Sequence, residues 1–406
     1  MKFLSDLIGV MKYLSSILLS AMLVAACAGG SKKAGQSETY VDLQQRDAFL
    51  LQNDMIYYGH DQHAGAFDDA YYAFMADEKE MKDASAKAAE EFAADLEKFS
   101  DEDRLLLADV FNDYADLADL ANYAYKDSKV ALPQGWKDLA EDDLALARII
   151  DKHSMDGLKC SLMAKGSRRA VVFAGTDFPG SWRNLKQVMD FIIDAYEDVN
   201  GALNEDASQV VRASALVDEL IAAGYVTIDN LEFAGHSLGG RLSSEMAVRY
   251  GCPAVLFNAA GVSPKVYEQY EEARKNADDD WRGYIVDVIA ANDPLTCAQK
   301  YMSGSSDPFV STAANALSVE KKTVENVLAL GAGMLEIVAD NVSGGSKVMD
   351  AVKGLSDSYG GTVDKYYERD YRALGAMMPI REDMGGHGIK ELAAALRARA
   401  ELCASF

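Results

Sequence analysis

Gly235-His236-Ser237-Leu238-Gly239-Gly240 decides the reading of this chain. It places a serine between glycines at what reads as a strand-to-helix turn. The glycines have a mechanical reason: such a turn strains the serine backbone and brings the entering strand close to the leaving helix. Upstream, Val226 to Ala234 is short, β-branched and aromatic, and predicts a strand running into the motif. Downstream, Leu242, Met246, Ala247 and Tyr250 recur at helical spacing, and Gly251 stands where a helix C-cap is expected. An ordinary glycine-rich loop would need neither flank, so Ser237 is read as a nucleophile, and the motif points to ester hydrolysis.

The strands and helices around the motif extend the pattern. Leu158 to Ala164, a turn at Lys165-Gly166-Ser167, and Arg169 to Phe173 predict a β-hairpin. Pro253 to Phe257 and Tyr284 to Ala291 are further short apolar strands, separated by helical segments. The alternation predicts an α/β fold with a mostly parallel central sheet flanked by helices. Residues 40–115, acidic and alanine-rich, predict an N-terminal helical region, with Ser100 as an N-cap and Asp103 at N3. Residues 116–406 are read as the main domain, with a helical insertion at about 303–378 that contains the apolar segment Val324 to Val338.

Histidine supply constrains the base that Ser237 requires. The chain has five histidines, at 60, 63, 153, 236 and 387. His236 adjoins the serine and is expected to point away from it. In α/β hydrolases the order along the chain is Ser, Asp or Glu, His, and only His387 follows Ser237. For the acid that orients it, Asp293 is preferred because it stands just past the carboxyl end of the strand that closes at Ala291, where functional side chains of open α/β sheets collect. Asp287, inside that strand, is the rival. An oxyanion needs donors: the backbone N–H of Leu238 is one candidate, and the Gly175-Thr176 turn the other, with Thr176 able to add its hydroxyl.

Composition bounds the partners and the compartment. A net charge of −24, from 64 acidic and 40 basic residues, argues against a nucleic-acid partner. His60 and His63 lack the carboxylate spacing of a metal site, and no cofactor or metal is expected. Residues 1–26 read as a signal peptide whose end, Leu23-Val24-Ala25-Ala26-Cys27, resembles a bacterial lipobox. Cys27 would then carry acyl chains, and residues 27–39 would tether an exported protein to a membrane. Four further cysteines, at 160, 252, 297 and 403, could pair in three ways, with Cys252 to Cys297 disfavoured because they fall at opposite sheet edges.

The assembled motifs resemble the class 3 (fungal-type) lipase family of the α/β-hydrolase superfamily. The resemblance rests on Phe173, Gly175, Thr176, Trp182 and Asn184, on Gly235 to Gly240, and on Asn292-Asp293-Pro294, and covers roughly Leu117 to Ala298 plus His387. It implies an α/β-hydrolase fold, a Ser237–Asp293–His387 triad and a lipid or small-ester substrate. Ala174 stands where that family usually has arginine, and Asn258-Ala259-Ala260-Gly261 replaces its Pro-Arg element. A surface lipoprotein that uses the fold only for binding, and an acyltransferase, are the alternative expectations.

Overall fold

Mostly apolar strands, buried along their whole length, build the centre of the molecule. The strands Leu231–His236 (β5), Ala254–Phe257 (β6) and Ile285–Ala290 (β7) are buried at every position, as expected where helices cover both faces of a parallel sheet. The computed structural model describes residues 49–53, 55–58, 78–126, 130–154, 158–175, 208–278, 281–290, 293, 374–383 and 386–406. All of them belong to one unit, Asp42–Phe406.

Among the described residues the sheet has eight strands. The others are Tyr57–Tyr58 (β1), Lys137–Asp138 (β2), Cys160–Lys165 (β3), Arg168–Phe173 (β4) and Ala376–Ile380 (β8). Their order across the sheet is β1-β8-β7-β6-β5-β4-β3-β2. The five strands from β4 to β8 are parallel, while β1, β3 and β2 pair antiparallel at the two edges. The expected hairpin is β3–β4, closed by Gly166-Ser167 with Lys165 opposite Arg168.

Among the described residues, seven α-helices accompany the sheet: Glu78–Leu96 (α1), Asp101–Tyr123 (α2), Leu144–His153 (α3), Ser208–Ala222 (α4), Leu238–Tyr250 (α5), Pro264–Lys275 (α6) and Ile389–Ser405 (α7). α2 packs along α7 and touches β4, β5 and β6; α5 touches the same three strands and packs with α4 and α6. The two helix groups therefore lie on opposite faces, which gives an α/β-hydrolase-like fold. α2 starts as its sequence suggests, with Asp103 N–H donating to Ser100 Oγ at 3.1 Å. It carries Phe111, Tyr114, Leu117 and Leu120 fully into the core. A partly buried ion cluster fastens α2 to the sheet. Arg168 on β4 holds Asp113 of α2 at 2.5 Å and Glu232 of β5 at 2.9 Å, and its guanidinium lies over the Trp136 ring, 5.3 Å from the centroid.

Several expectations are corrected by these elements. The boundary at residues 115 and 116 falls inside α2, which runs through it unbroken because its buried face continues from Leu107 to Ala121. Tyr57–Tyr58, placed in the helical region, pairs with Met377 and Ala376 as an edge strand. The strand expected from Val226 begins at Leu231, because Thr227 to Asn230 close a turn in which Thr227 N–H donates to Asn230 Oδ1 at 2.8 Å. Residues 376–378, given to the helical insertion, are strand β8, paired in parallel with β7. Residues 303–373 of that insertion, including Val324 to Val338, lie outside the described residues, as do the signal, lipobox and tether at 1–39. Cys160, Cys252 and Cys403 are free, buried thiols; burial pushes the Cys160 thiol up to about 12. Among the described residues no helix is long and apolar enough to cross a membrane.

Candidate active site

β5 delivers Ser237 to the carboxyl edge of the sheet, and the turn into α5 is as strained as the glycine spacing implied. Ser237 has φ 59° and ψ −125°, a region that a residue with a Cβ adopts only when its surroundings enforce it. The enforcement is visible in the backbone. Ser237 N–H donates to Phe257 C=O at 3.1 Å, and Ser237 C=O accepts from Ala260 and Arg241 N–H at 3.0 and 3.2 Å. The flanking glycines permit the close approach. A Cβ on Gly235 would lie 2.2 Å from the Gly239 carbonyl oxygen, and one on Gly239 would lie 2.1 Å from that of Phe173. Leu238 is the first residue of α5, so its N–H belongs to the positive end of that helix, next to the serine.

His387 arrives from the loop before α7 and is buried, at 1 % exposure. Its Nδ1 lies 2.6 Å from Asp293 Oδ1, and Asp293 is itself fully buried. A carboxylate only accepts, so Nδ1 carries the proton and Nε2 is the basic nitrogen. Asp287, the rival, serves a different purpose: its Oδ1 accepts from Ala259 N–H at 3.3 Å and so supports the chain just past β6. Of the residues expected at the site, Ser237, Leu238, Asp293 and His387 are brought to the same edge of the sheet. Thr176 and Cys27 lie outside the described residues. Gly175 is described, and it approaches the serine so closely that an added Cβ would sit 3.0 Å from Ser237 Cβ and 2.7 Å from Tyr125 Oη.

Three side chains around His387 were not assigned to the site from sequence. His236 packs against the site's histidine: its ring centroid is 4.6 Å from that of His387, its Nε2 donates to the His387 carbonyl oxygen at 2.7 Å, and its Nδ1 meets Tyr125 Oη at 2.8 Å. Burial, together with the neighbouring His387 ring, holds its pKa well below the ordinary histidine value. Asn258 has φ 45° and no exposure. Its Oδ1 accepts from Ala290 N–H at 2.8 Å and its Nδ2 donates to Gly386 C=O at 3.4 Å, joining the end of β7 to the histidine loop. Tyr125 carried no signal in sequence, because it follows a helix with no motif around it. Asn258 had a weak one, a polar residue directly past the carboxyl end of a strand.

Among the described residues, no group of three or more His, Cys, Asp or Glu is arranged to hold a metal ion. The same sheet edge thus holds a strained serine at a helix N-terminus and an imidazole bound to a carboxylate. Comparison with curated proteins returns no match. Residues 116–343, more than half of the chain, match the family model described as phospholipase-like, Tle-like phospholipase domain. That span contains β2 to β7, the serine turn and Asp293, and the chain belongs to this lipase and phospholipase family.

Proposed function

We propose that this protein hydrolyses a carboxylic ester bond of a phospholipid through an acyl-serine intermediate. The observation that carries the reading is the 2.6 Å contact of His387 with Asp293, which leaves Nε2 as the basic nitrogen of a histidine at the sheet edge that also carries the strained Ser237. His387 Nε2 takes the Ser237 hydroxyl proton as Oγ attacks the ester carbonyl. The resulting oxyanion is stabilised by the Leu238 N–H, with Thr176 as the second donor. Collapse breaks the C–O bond, and the departing alkoxide takes the proton from His387. Water, deprotonated by the same nitrogen, then releases the fatty acid and restores Ser237. Asp293 stabilises the imidazolium that forms in both steps.

The motifs resemble those of a class 3 lipase centre, although Ala174 and Asn258 depart from that pattern. Phospholipid is preferred over triacylglycerol because of the phospholipase family match. We place the protein at a bacterial membrane, exported and anchored through acylated Cys27, a reading supported by the lipobox-like residues before it. Such an anchor would keep the hydrolase at a lipid surface.

The test uses the full-length chain in detergent with phosphatidylcholine mixed micelles. Fatty acid release and labelling by a fluorophosphonate are both expected, and Ser237→Ala should abolish the labelling and lower kcat by about four orders of magnitude or more. Release unaffected by Ser237→Ala refutes the mechanism. Labelling without release from any ester would point to a non-hydrolytic role. For the anchor, Cys27→Ser should move the protein out of the membrane fraction.

A further inference from the structure

His236 is placed where its chemistry bears on the neighbouring imidazole. Its two ring nitrogens are both engaged, and the partners determine which one carries the proton. The His387 carbonyl can only accept, so Nε2 must be the N–H; Nδ1 is then an acceptor, and Tyr125 must donate its hydroxyl proton. The arrangement defines a single neutral tautomer, running from Tyr125 O–H to His236 Nδ1 and from His236 Nε2–H to the His387 backbone. A second hold acts one residue earlier in the same loop, where Asn258 Nδ2 grips Gly386 C=O. The imidazole that has to turn toward Ser237 is therefore fixed by its backbone as well as by Asp293.

We infer that Tyr125 and His236 are positioning residues, which clamp the His387 backbone and hold His236 in the neutral Nε2–H form so that the proton taken from Ser237 resides on His387. Two imidazoles with centroids 4.6 Å apart do not both carry charge at low cost. The ring whose acceptor nitrogen is already filled by a phenol, and whose donor is filled by a carbonyl, is the one that stays neutral. His387 is left as the acceptor. The depressed pKa of His236 agrees with this assignment. The arrangement also accounts for a histidine at this buried position before the serine. The inference rests on the proposed roles of Ser237 and His387.

The experiment compares Tyr125→Phe, His236→Gln, His236→Leu and Ser237→Ala in the full-length chain in detergent, with thermal unfolding recorded for each. His236→Leu removes both hydrogen bonds and should lower kcat about 100-fold, as expected for a misplacement near 1 Å, with KM little changed. Tyr125→Phe should lower kcat about tenfold, the value of one buried hydrogen bond. His236→Gln offers an acceptor and a donor on adjacent atoms and should recover most of the loss. Wild-type kcat in His236→Leu, while Ser237→Ala is inactive, overturns this inference alone. Activity in Ser237→Ala overturns the proposed function beneath it. A measurement that needs no altered stability is the ¹⁵N histidine spectrum of the unmodified chain, with the His236 signals identified by their loss in His236→Gln. Neutral His236 protonated on Nε2 is expected, and protonation on Nδ1 overturns the inference.

Discussion

Replacing Gly239 by alanine is the most direct probe of the serine turn, because its effect can be worked out from backbone contacts. The new Cβ would meet the Phe173 carbonyl oxygen at 2.1 Å, the Ala174 carbonyl carbon at 2.6 Å and the Phe173 carbonyl carbon at 2.7 Å. All three are main-chain atoms at the end of β4, so no rotamer change relieves the clash. Restoring ordinary contact requires α5 and β4 to separate by about 1 Å. The first turn of α5 has little room to yield, since Gly240 already faces Ala259 so closely that its own Cβ would lie 2.6 Å from that side chain. Overpacking of this kind costs about 1–3 kcal/mol. A 1 Å shift of Ser237 relative to the Gly175 turn should lower kcat about 100-fold. Gly251→Ala is the control. It sits at the far end of the same helix, about 20 Å away, with φ +64° and nothing within 4 Å of the added methyl. It should cost about 1 kcal/mol from backbone strain alone and leave kcat unchanged. Urea unfolding gives the stabilities, and hydrolysis of a short-chain ester gives kcat. If Gly239→Ala turns over at the wild-type rate, or Gly251→Ala loses as much activity as Gly239→Ala, the close-approach argument is wrong.

Three further outcomes are expected. Asp293→Asn should lower kcat about 10³- to 10⁴-fold, whereas Asp287→Asn, which retains the acceptor for Ala259 N–H, should keep most activity; steady-state kinetics on the pair decides between the two carboxylates. His236 is neutral when folded and has its pKa lowered, so below about pH 6.5 the unfolded chain binds the extra proton and is favoured. Stability should therefore fall as pH drops, with a slope approaching about 1.4 kcal/mol per pH unit, and denaturation of His236→Gln should lack this contribution; an identical slope in both would refute it. Arg168→Met leaves the Asp113 and Glu232 carboxylates half-buried without their shared cation, and should destabilise the fold by about 3 kcal/mol in urea titrations at an unchanged m-value.

Local pattern and chain order were sufficient for part of this protein. The serine turn was legible because its constraint is local: a strand, a strained residue and a helix follow one another within twenty residues, and the glycines mark where backbones touch. The β3–β4 hairpin and the Ser100 cap were legible for the same reason. The proposal of His387 comes from a small supply of histidines and the chain order of α/β hydrolases, and that of Asp293 from its place just past a strand. Tertiary structure decided what depends on contacts between distant segments. β8 is a five-residue run that becomes a strand only by pairing with β7, and Tyr57–Tyr58 only by pairing with β8. The continuity of α2 across the expected boundary follows from packing against α7 and the sheet. The same is true of the site. Asp293 meets His387 from 94 residues away, and His236 meets the His387 carbonyl from 151. No sequence pattern encodes such distances, because hydrogen bonds between sheet ends are set by strand order and register.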